Sequence, residues 1–252
     1  MKAIILLASL FLLSLSGHAA SAEIYFDTSH RVIFHPSSEQ HLGLKKFVSL
    51  FRENGDHVEI GDYPLGILDT GTVDVLVIPG SMAPYSPEEI DLVEKFVNDG
   101  GRLLVLLHIA PPLARLTERF GIILSNAVIS ENENKINGRS QDFFVKDMAS
   151  HEITRDVSMI AFYGSWGLLA EGKGKVLAFT SENAYADFNR NRRFDHGEPR
   201  AKMGVVAVSD HGKGKVVVVA DDAPLANAFI DVGDNRKFAG NIVNWLSMQI
   251  SR

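Results

Sequence analysis

The sequence of 252 residues contains no cysteine. Without a thiol the protein can form no disulfide bond, cannot use a cysteine nucleophile and cannot bind a metal through thiolates. An excess of basic residues is also missing, since the formal net charge is −6. Proteins that bind nucleic acid usually carry a basic face, so this composition gives no reason to expect a nucleic-acid partner.

Long apolar runs are scarce, and the longest, residues 3–15, stands at the amino terminus. It follows a short, positively charged start and is too short to span a bilayer comfortably. Ala20 and Ala22 then provide a small-x-small cleavage site. We therefore predict a signal peptide over residues 1–22, a periplasmic or secreted location, and no stable membrane span after cleavage near Ala22. An uncleaved membrane anchor is the alternative.

The other apolar segments are short and alternate with segments of helical periodicity. Residues 73–78, 102–107 and 216–220 are uniformly apolar for most of their length, which is typical of strands covered on both faces. A helix start is marked by Ser86, by a proline directly after it and by Glu89 three residues after the cap. The order of elements from residue 23 to residue 107 is strand, helix, strand, strand, helix, strand. This order predicts an α/β fold with a mostly parallel sheet.

Further elements complete this prediction. The additional strands are residues 23–26, 57–60 and 176–180, and the additional helices are residues 39–54, 113–120 and a last one that carries Phe238, Ile242, Trp245 and Leu246. Residues 125–150 are polar and lack long periodicity, so we predict a loop-rich insertion within a single domain of residues 23–252.

Two Gly-Lys-Gly-Lys segments, at residues 172–175 and 212–215, each precede an apolar strand. A phosphate-binding loop follows a strand and opens a helix instead. We therefore interpret both segments as turns, and the sequence implies neither a nucleotide nor a flavin.

The most specific motif is the loop of residues 187–198. Oxygen-bearing side chains occupy its positions 1, 3, 5, 9 and 12, which is the spacing of a calcium-binding loop. The predicted ligands are the side chains of Asp187, Asn189, Asn191, Asp195 and Glu198 and the backbone carbonyl of Arg193. Arg192 stands where such loops carry glycine, and three arginines reduce the negative charge. A solvated turn, in which Asp and Asn side chains bond the local backbone, is the alternative.

Polar side chains also follow several of the predicted strands. The carboxyl ends of parallel strands meet at one edge of a sheet, where α/β folds build their sites. The candidates there are Asp27, His30, His108, Asp221 and Asp222. A histidine beside carboxylates could act as a general base or join a metal site. Alternatively, these residues cap helices and bond loop backbone.

Several stretches carry a family resemblance: residues 26–30, 73–80, 86–89, 96–106 and 220–222, with Asn227, residues 234–235, Asn241 and residues 245–246. Through them the chain resembles the class I glutamine-amidotransferase-like superfamily. It is most similar to the non-catalytic members found in gliding-motility, ABC-transport auxiliary and intraflagellar-transport proteins and in bacterial DUF4350-like proteins. Over most of the mature chain, the resemblance implies a flavodoxin-like three-layer α/β sandwich.

Catalytic members of this superfamily place a cysteine at the turn where this chain has His108 nearby. Ser81 and Ser165 could in principle replace it, but neither lies in a Gly-x-Ser-x-Gly turn. We therefore expect an exported, non-catalytic module that binds an unidentified small molecule or protein in the periplasm, with calcium ordering residues 187–198. The alternative is a periplasmic hydrolase, directed at carbohydrate, that uses the histidines and aspartates of the sheet edge.

Overall fold

The structure is a computed structural model that describes residues 21–248. The signal peptide expected at residues 1–22 lies outside this range except for its last two residues. Ala22 is fully buried, and its amide donates to Asp56 Oδ1 at 3.2 Å. Among the described residues, each helix is too short or too polar to cross a membrane.

Strands outnumber helices in the described part of the chain. The helices are α1 (Lys45–Glu53), α2 (Pro87–Asn98), α3 (Ala114–Glu118) and α4 (Asn235–Ser247). The first strands are β1 (Glu23–Asp27), β2 (His57–Gly61), β3 (Val75–Pro79), β4 (Arg102–Leu106), β5 (Ile122–Ser130), β6 (Lys135–Ile136) and β7 (Arg139–Val145). The others are β8 (Asp147–Met148), β9 (Ile160–Tyr163), β10 (Trp166–Ala170), β11 (Gly174–Phe179), β12 (Tyr185–Asp187), β13 (Gly204–His211) and β14 (Gly214–Val219).

The main sheet has a parallel half and an antiparallel half. In the parallel half, the strand order is β2-β1-β3-β4-β14. Beyond β14, the pairs through β13, β10, β5 and β12 are all antiparallel. The expected α/β class is confirmed, but parallel pairing is confined to these five strands. The reason is that most of the chain after α3 returns through strand-to-strand connections rather than helical crossovers.

Residues 125–150 contain more regular structure than loops alone. The end of β5 lies in the main sheet, where it pairs with β10 and β12. β6, β7 and β9 form a separate three-stranded antiparallel sheet. β9 is followed directly by β10, so the chain passes from this small sheet back into the main sheet.

Helix boundaries follow local chemistry. At the start of α2, Ser86 Oγ accepts a hydrogen bond from the Glu89 amide at 3.2 Å, and Glu89 Oε2 accepts one from the Ser86 amide at 2.8 Å. The predicted capping box is therefore confirmed. The helix expected at residues 39–54 begins only at Lys45, because a turn holds the Leu44 amide on the His35 carbonyl at 3.1 Å.

Arg102 joins β4 to the end of α4. The side chain is buried, and its Nη1 donates to the carbonyl oxygens of Trp245 at 3.1 Å and Leu246 at 2.6 Å. A helix leaves the carbonyl groups of its last turn without partners inside the helix, and its dipole favours a cation there. Arg102 therefore satisfies both requirements inside the core.

We predict that Arg102→Leu lowers the free energy of unfolding by about 2–3 kcal/mol, because hydrogen bonds from a charged donor are worth roughly that amount. Urea unfolding followed by circular dichroism measures the change. Arg52→Leu, at an exposed position on α1, is the control and should have little effect. An equal loss in both variants would contradict a structural role for Arg102.

Candidate functional site

The carboxyl edge of the parallel half carries two clusters of polar side chains. The first, the Asp27 cluster, follows β1 and consists of Asp27, Ser29, His30, Tyr85 and Glu89. The second, the His108 cluster, follows β4 and β14 and consists of His108, Asp221 and Asp222. All five candidate residues for this edge lie in these clusters.

Asp27 is the centre of the first cluster and is fully buried. Its Oδ2 accepts a hydrogen bond from the Tyr85 hydroxyl at 2.5 Å, and its Oδ1 accepts one from Ser29 Oγ at 2.6 Å. Burial raises the pKa of Asp27, but hydrogen bonds from His30, Ser29 and Tyr85 outweigh this effect and lower the pKa below its ordinary value. Asp27 is therefore held as a carboxylate.

His30 lies between two carboxylates. Its Nδ1 is 3.4 Å from Asp27 Oδ2, its Nε2 is 3.2 Å from Glu89 Oε2, and its ring stacks on Tyr85 with centroids 3.7 Å apart. Burial lowers the pKa of His30, but Asp27 and Glu89 together raise it above its ordinary value. A protonated His30 has both nitrogens committed as donors, so it is poorly suited to accept a proton.

His108 is paired with Asp222. Its Nδ1 lies 3.1 Å from Asp222 Oδ2, and the Asp222 side chain is only 1% exposed. Gly80 permits this approach, because a Cβ at its position would lie 2.5 Å from Asp222 Oδ2. The hydrogen bond from Asp222 raises the pKa of His108, although burial opposes it.

The other nitrogen of His108 is free to meet a ligand. The His108 side chain is 29% exposed, and within residues 21–248 its Nε2 makes no hydrogen bond. The ring of Phe34 lies beside it, with centroids 5.1 Å apart. Phe34 is only 5% exposed, so the edge offers one hydrogen-bonding nitrogen beside a nearly buried aromatic ring.

Asp221 faces the backbone rather than the solvent. Its Oδ2 accepts a hydrogen bond from the Tyr163 amide at 2.6 Å, and its Oδ1 accepts one from the Ala223 amide at 3.0 Å. Burial, with a contribution from the charge of Asp222, raises the pKa of Asp221 to about 8. Asp221 thereby holds the end of β9 against the end of β14.

The two serines considered as replacements for a cysteine are both fully buried. Ser81 Oγ lies 3.3 Å from the Tyr85 hydroxyl, and Ser165 Oγ donates to the Trp166 carbonyl at 3.1 Å. Ser29 is more accessible, but its hydroxyl donates to Asp27. Ser29 Oγ also lies 2.8 Å from His30 Nδ1, so among these three hydroxyls that of Ser29 has a histidine partner.

Tyr85, Glu89, Ser29 and Phe34 were not among the site residues predicted from the sequence. Glu89 was interpreted only as a helix-capping residue, and its Oε2 serves both the Ser86 amide and His30. The available signal was the position of Ser29 and His30, two and three residues after Asp27, because side chains that follow a strand end commonly face one another. No sequence pattern linked Tyr85 to Asp27.

The loop of residues 187–198 is organised around Asp187, which is fully buried. Its Oδ1 accepts a hydrogen bond from the Asn191 amide at 3.1 Å, and its Oδ2 accepts one from the Arg192 amide at 2.9 Å. Arg192 has φ +64°, the left-handed conformation that a glycine usually provides at this position. The backbone therefore makes the required turn despite the missing glycine.

The other expected ligands also face the middle of the loop. Asn189 and Asn191 donate their amide groups to Asp195 Oδ2, at 2.7 and 2.5 Å. Glu198 accepts hydrogen bonds from the backbone amides of Phe188 at 3.1 Å and Asp195 at 2.9 Å. In the part of the chain that the structure describes, no three His, Asp or Glu side chains are grouped closely enough to hold a metal ion.

The chain has a flavodoxin-like α/β fold, which it shares with ThuA-like proteins. The chain belongs to the family DUF4350, described as a domain of unknown function, which matches residues 36–243. No curated protein matches it.

Solved structures similar to this chain share its fold at low sequence identity. The mmIFT52 N-terminal domain is 16% identical with a TM-score of 0.71, and the match covers 91% of this chain and 99% of that one. A ThuA-like protein from Bacteroides uniformis is 15% identical with a TM-score of 0.56, covering 92% and 94%. A β-galactosidase from Rahnella sp. R3 is 14% identical with a TM-score of 0.55, covering 92% of this chain and 32% of the enzyme. These likenesses establish the fold alone.

The pKa shifts of the edge predict how stability depends on pH. His108 has a raised pKa, so its contribution is complete below about 6.5 and is lost as the pH rises through the folded-state value. Asp221 contributes with the same sign, because its pKa rises from 3.8 in the unfolded chain to about 8. We therefore expect the free energy of unfolding to fall as the pH rises from about 6 to 9.

Urea unfolding at a series of pH values measures this slope. His108→Gln should flatten it above about pH 6.5, since the titrating imidazole is gone. His41→Gln, at an exposed position, is the matched control and should keep the wild-type slope. An identical slope in both variants would show that the His108–Asp222 pair does not couple to folding.

Proposed function

We propose that the protein is an exported, non-catalytic binding module, and that a small molecule or a protein partner docks at its carboxyl edge. The observation that carries this proposal is His108, whose ring Asp222 holds through Nδ1 while Nε2 remains free. A protonated His108 presents an N–H donor to a ligand oxygen, and the nearly buried ring of Phe34 packs against the imidazole. A ligand with a hydrogen-bond acceptor group fits this arrangement.

The state of the other edge groups supports binding rather than catalysis. A nucleophilic mechanism needs a hydroxyl within reach of a neutral histidine. Asp27 and Glu89 raise the pKa of His30 above its ordinary value, and the hydroxyl of Ser29, which lies 2.8 Å from His30 Nδ1, donates to Asp27 Oδ1. The Asp27 carboxylate therefore competes with His30 for the Ser29 proton, which favours a hydrogen-bonded hydroxyl over an activated nucleophile.

We predict that His108→Ala abolishes ligand binding at the edge. A panel of monosaccharides, disaccharides, amino acids and short carboxylic acids is screened by thermal shift against wild type, His108→Ala and His41→Ala. We expect compounds that raise the midpoint of wild type and His41→Ala but not of His108→Ala. Compounds that stabilise all three proteins equally would place the binding site elsewhere.

A hydrolase that uses the same edge is the second candidate. The His108–Asp222 pair with a free Nε2 is also the arrangement of a general base that activates water. The Rahnella enzyme is a β-galactosidase by name, but this chain spans 32% of its length. Turnover of p-nitrophenyl glycosides or esters by wild type, lost in His108→Ala, would favour this candidate and contradict the non-catalytic proposal.

We also propose that calcium stabilises the loop of residues 187–198. The side chains of Asn189, Asn191 and Asp195 already share the middle of the loop. Within residues 21–248, Asp187 Oδ1 accepts only the hydrogen bond of the Asn191 amide, so it keeps a lone pair. A hard cation requires oxygen ligands that converge in this way. Glu198 and the carbonyl of Arg193 would complete the set.

Thermal unfolding in EDTA and in millimolar calcium tests this proposal. Calcium should raise the midpoint of wild type, since a ligand at a hundredfold excess over its dissociation constant adds about 2.7 kcal/mol. Asp195→Ala should lose the shift, while Asp62→Ala, an exposed aspartate elsewhere, should keep it. Equal midpoints of wild type with and without saturating calcium would make the loop an ordinary turn.

A further inference from the structure

A cleft of about 520 Å³ lies between the loop of residues 187–198 and the hairpin of β6 and β7. Its volume falls within the range of roughly 300–1,000 Å³ typical of small-molecule sites. None of its lining residues belongs to the Asp27 cluster or the His108 cluster. It is therefore a second concave surface, separate from the carboxyl edge.

The lining of this cleft is cationic although the whole chain has a net charge of −6. Lys135 and Arg139 come from the hairpin, and Arg192 and Arg193 come from the loop. One carboxylate, Asp142, also lines the cleft, and it pairs with Arg139 at 3.5 Å. Within residues 21–248, the other three cations form no ion pair, so they remain available to an anion.

In the loop of residues 187–198, the carboxylates and the arginines face different sides. Asp187, Asp195 and Glu198 turn towards the inside of the loop, where backbone and asparagine amides satisfy them. Arg192 and Arg193 are exposed and face the cleft. Within residues 21–248, none of these three carboxylates forms an ion pair with a cation of the cleft.

Two contacts hold the loop against β7. Ser140 Oγ donates to the Arg192 carbonyl at 3.1 Å, and Gln141 Nε2 donates to Asp187 Oδ2 at 3.3 Å. Both walls of the cleft are thus connected, and the backbone that carries the loop arginines is fixed relative to Lys135 and Arg139. Such preorganisation reduces the entropy lost when a ligand binds.

An aromatic side chain completes the cleft. Phe194 is 40% exposed, meets Tyr185 edge-on with centroids 5.6 Å apart, and carries the guanidinium of Arg200 at 4.1 Å from its ring centroid. An exposed ring beside guanidinium groups suits a ligand that has both an apolar face and carboxylates. A pyranose ring packs its C–H face on an aromatic ring, and carboxylates pair with arginine through two parallel hydrogen bonds.

We propose that this cleft binds an acidic oligosaccharide, whose uronate carboxylates contact Lys135, Arg139, Arg192 and Arg193 while one sugar ring packs on Phe194. The site takes no part in the interactions proposed at the carboxyl edge. A variant of His108 and a variant of this cleft therefore test the two proposals independently.

Isothermal titration calorimetry of the mature protein with digalacturonate tests the proposal, in EDTA and again in calcium. Lactose is the neutral control ligand. The double variant Lys135→Gln/Arg193→Gln removes one cation from each wall and should weaken digalacturonate binding about tenfold, since each of the two exposed ion pairs is worth up to about fivefold. Lys173→Gln/Arg115→Gln removes two exposed cations outside the cleft and should leave the affinity unchanged.

We expect digalacturonate to bind, lactose not to bind, and added salt to weaken the interaction. The proposal is overturned if digalacturonate fails to bind in both buffers, or if lactose binds equally well. It is also overturned if the cleft double variant binds like the control double variant. A hexaglutamate peptide that binds more tightly than digalacturonate, with the same loss in the cleft variant, would show that the occupant is an acidic peptide instead.

Discussion

Three buried carboxyl groups at the ends of parallel strands determine how the carboxyl edge is built. Asp27, Asp221 and Asp222 are each less than 5% exposed, so each needs hydrogen-bond donors or a proton. Asp27 takes its donors from the loop after β1 and from Tyr85, and Asp222 takes its partner from the turn after β4. Asp221 fixes β9 through a backbone amide. The burial of these carboxyl groups therefore holds together segments that are distant in sequence.

The same carboxyl groups give the two histidines of the edge different environments. Asp27 and Glu89 raise the pKa of His30, and Ser29 Oγ lies within hydrogen-bonding distance of both Asp27 Oδ1 and His30 Nδ1. His108 differs from His30 because only one of its nitrogens is engaged. The free nitrogen of His108 can contact a ligand directly. The other polar side chains of the edge already form hydrogen bonds with one another.

Much of the parallel half could be predicted from the sequence because its signals are local. The uniformly apolar strands and the capping box at Ser86 depend on neighbouring residues, and both appear where expected. The antiparallel half could not be predicted, since β5 is only partly buried and its partners β10 and β12 lie far along the chain. The contact between Tyr85 and Asp27 spans 58 residues and leaves no periodic pattern. Residues joined only by tertiary packing were therefore the ones that the sequence did not reveal.

Arg192 shows how a departure from a motif can be compatible with its geometry. A glycine at this position would adopt φ +64° without steric cost, whereas a residue with a Cβ pays roughly 1 kcal/mol. The Arg192 amide recovers part of that cost by donating to the buried carboxylate of Asp187. Glycine would place no charge in the adjoining cleft, and arginine places a guanidinium there. Residues held in a strained backbone conformation, such as the positive φ of Arg192, are often found at functional sites. Arg192 therefore connects the geometry of the loop to the chemistry of the cleft.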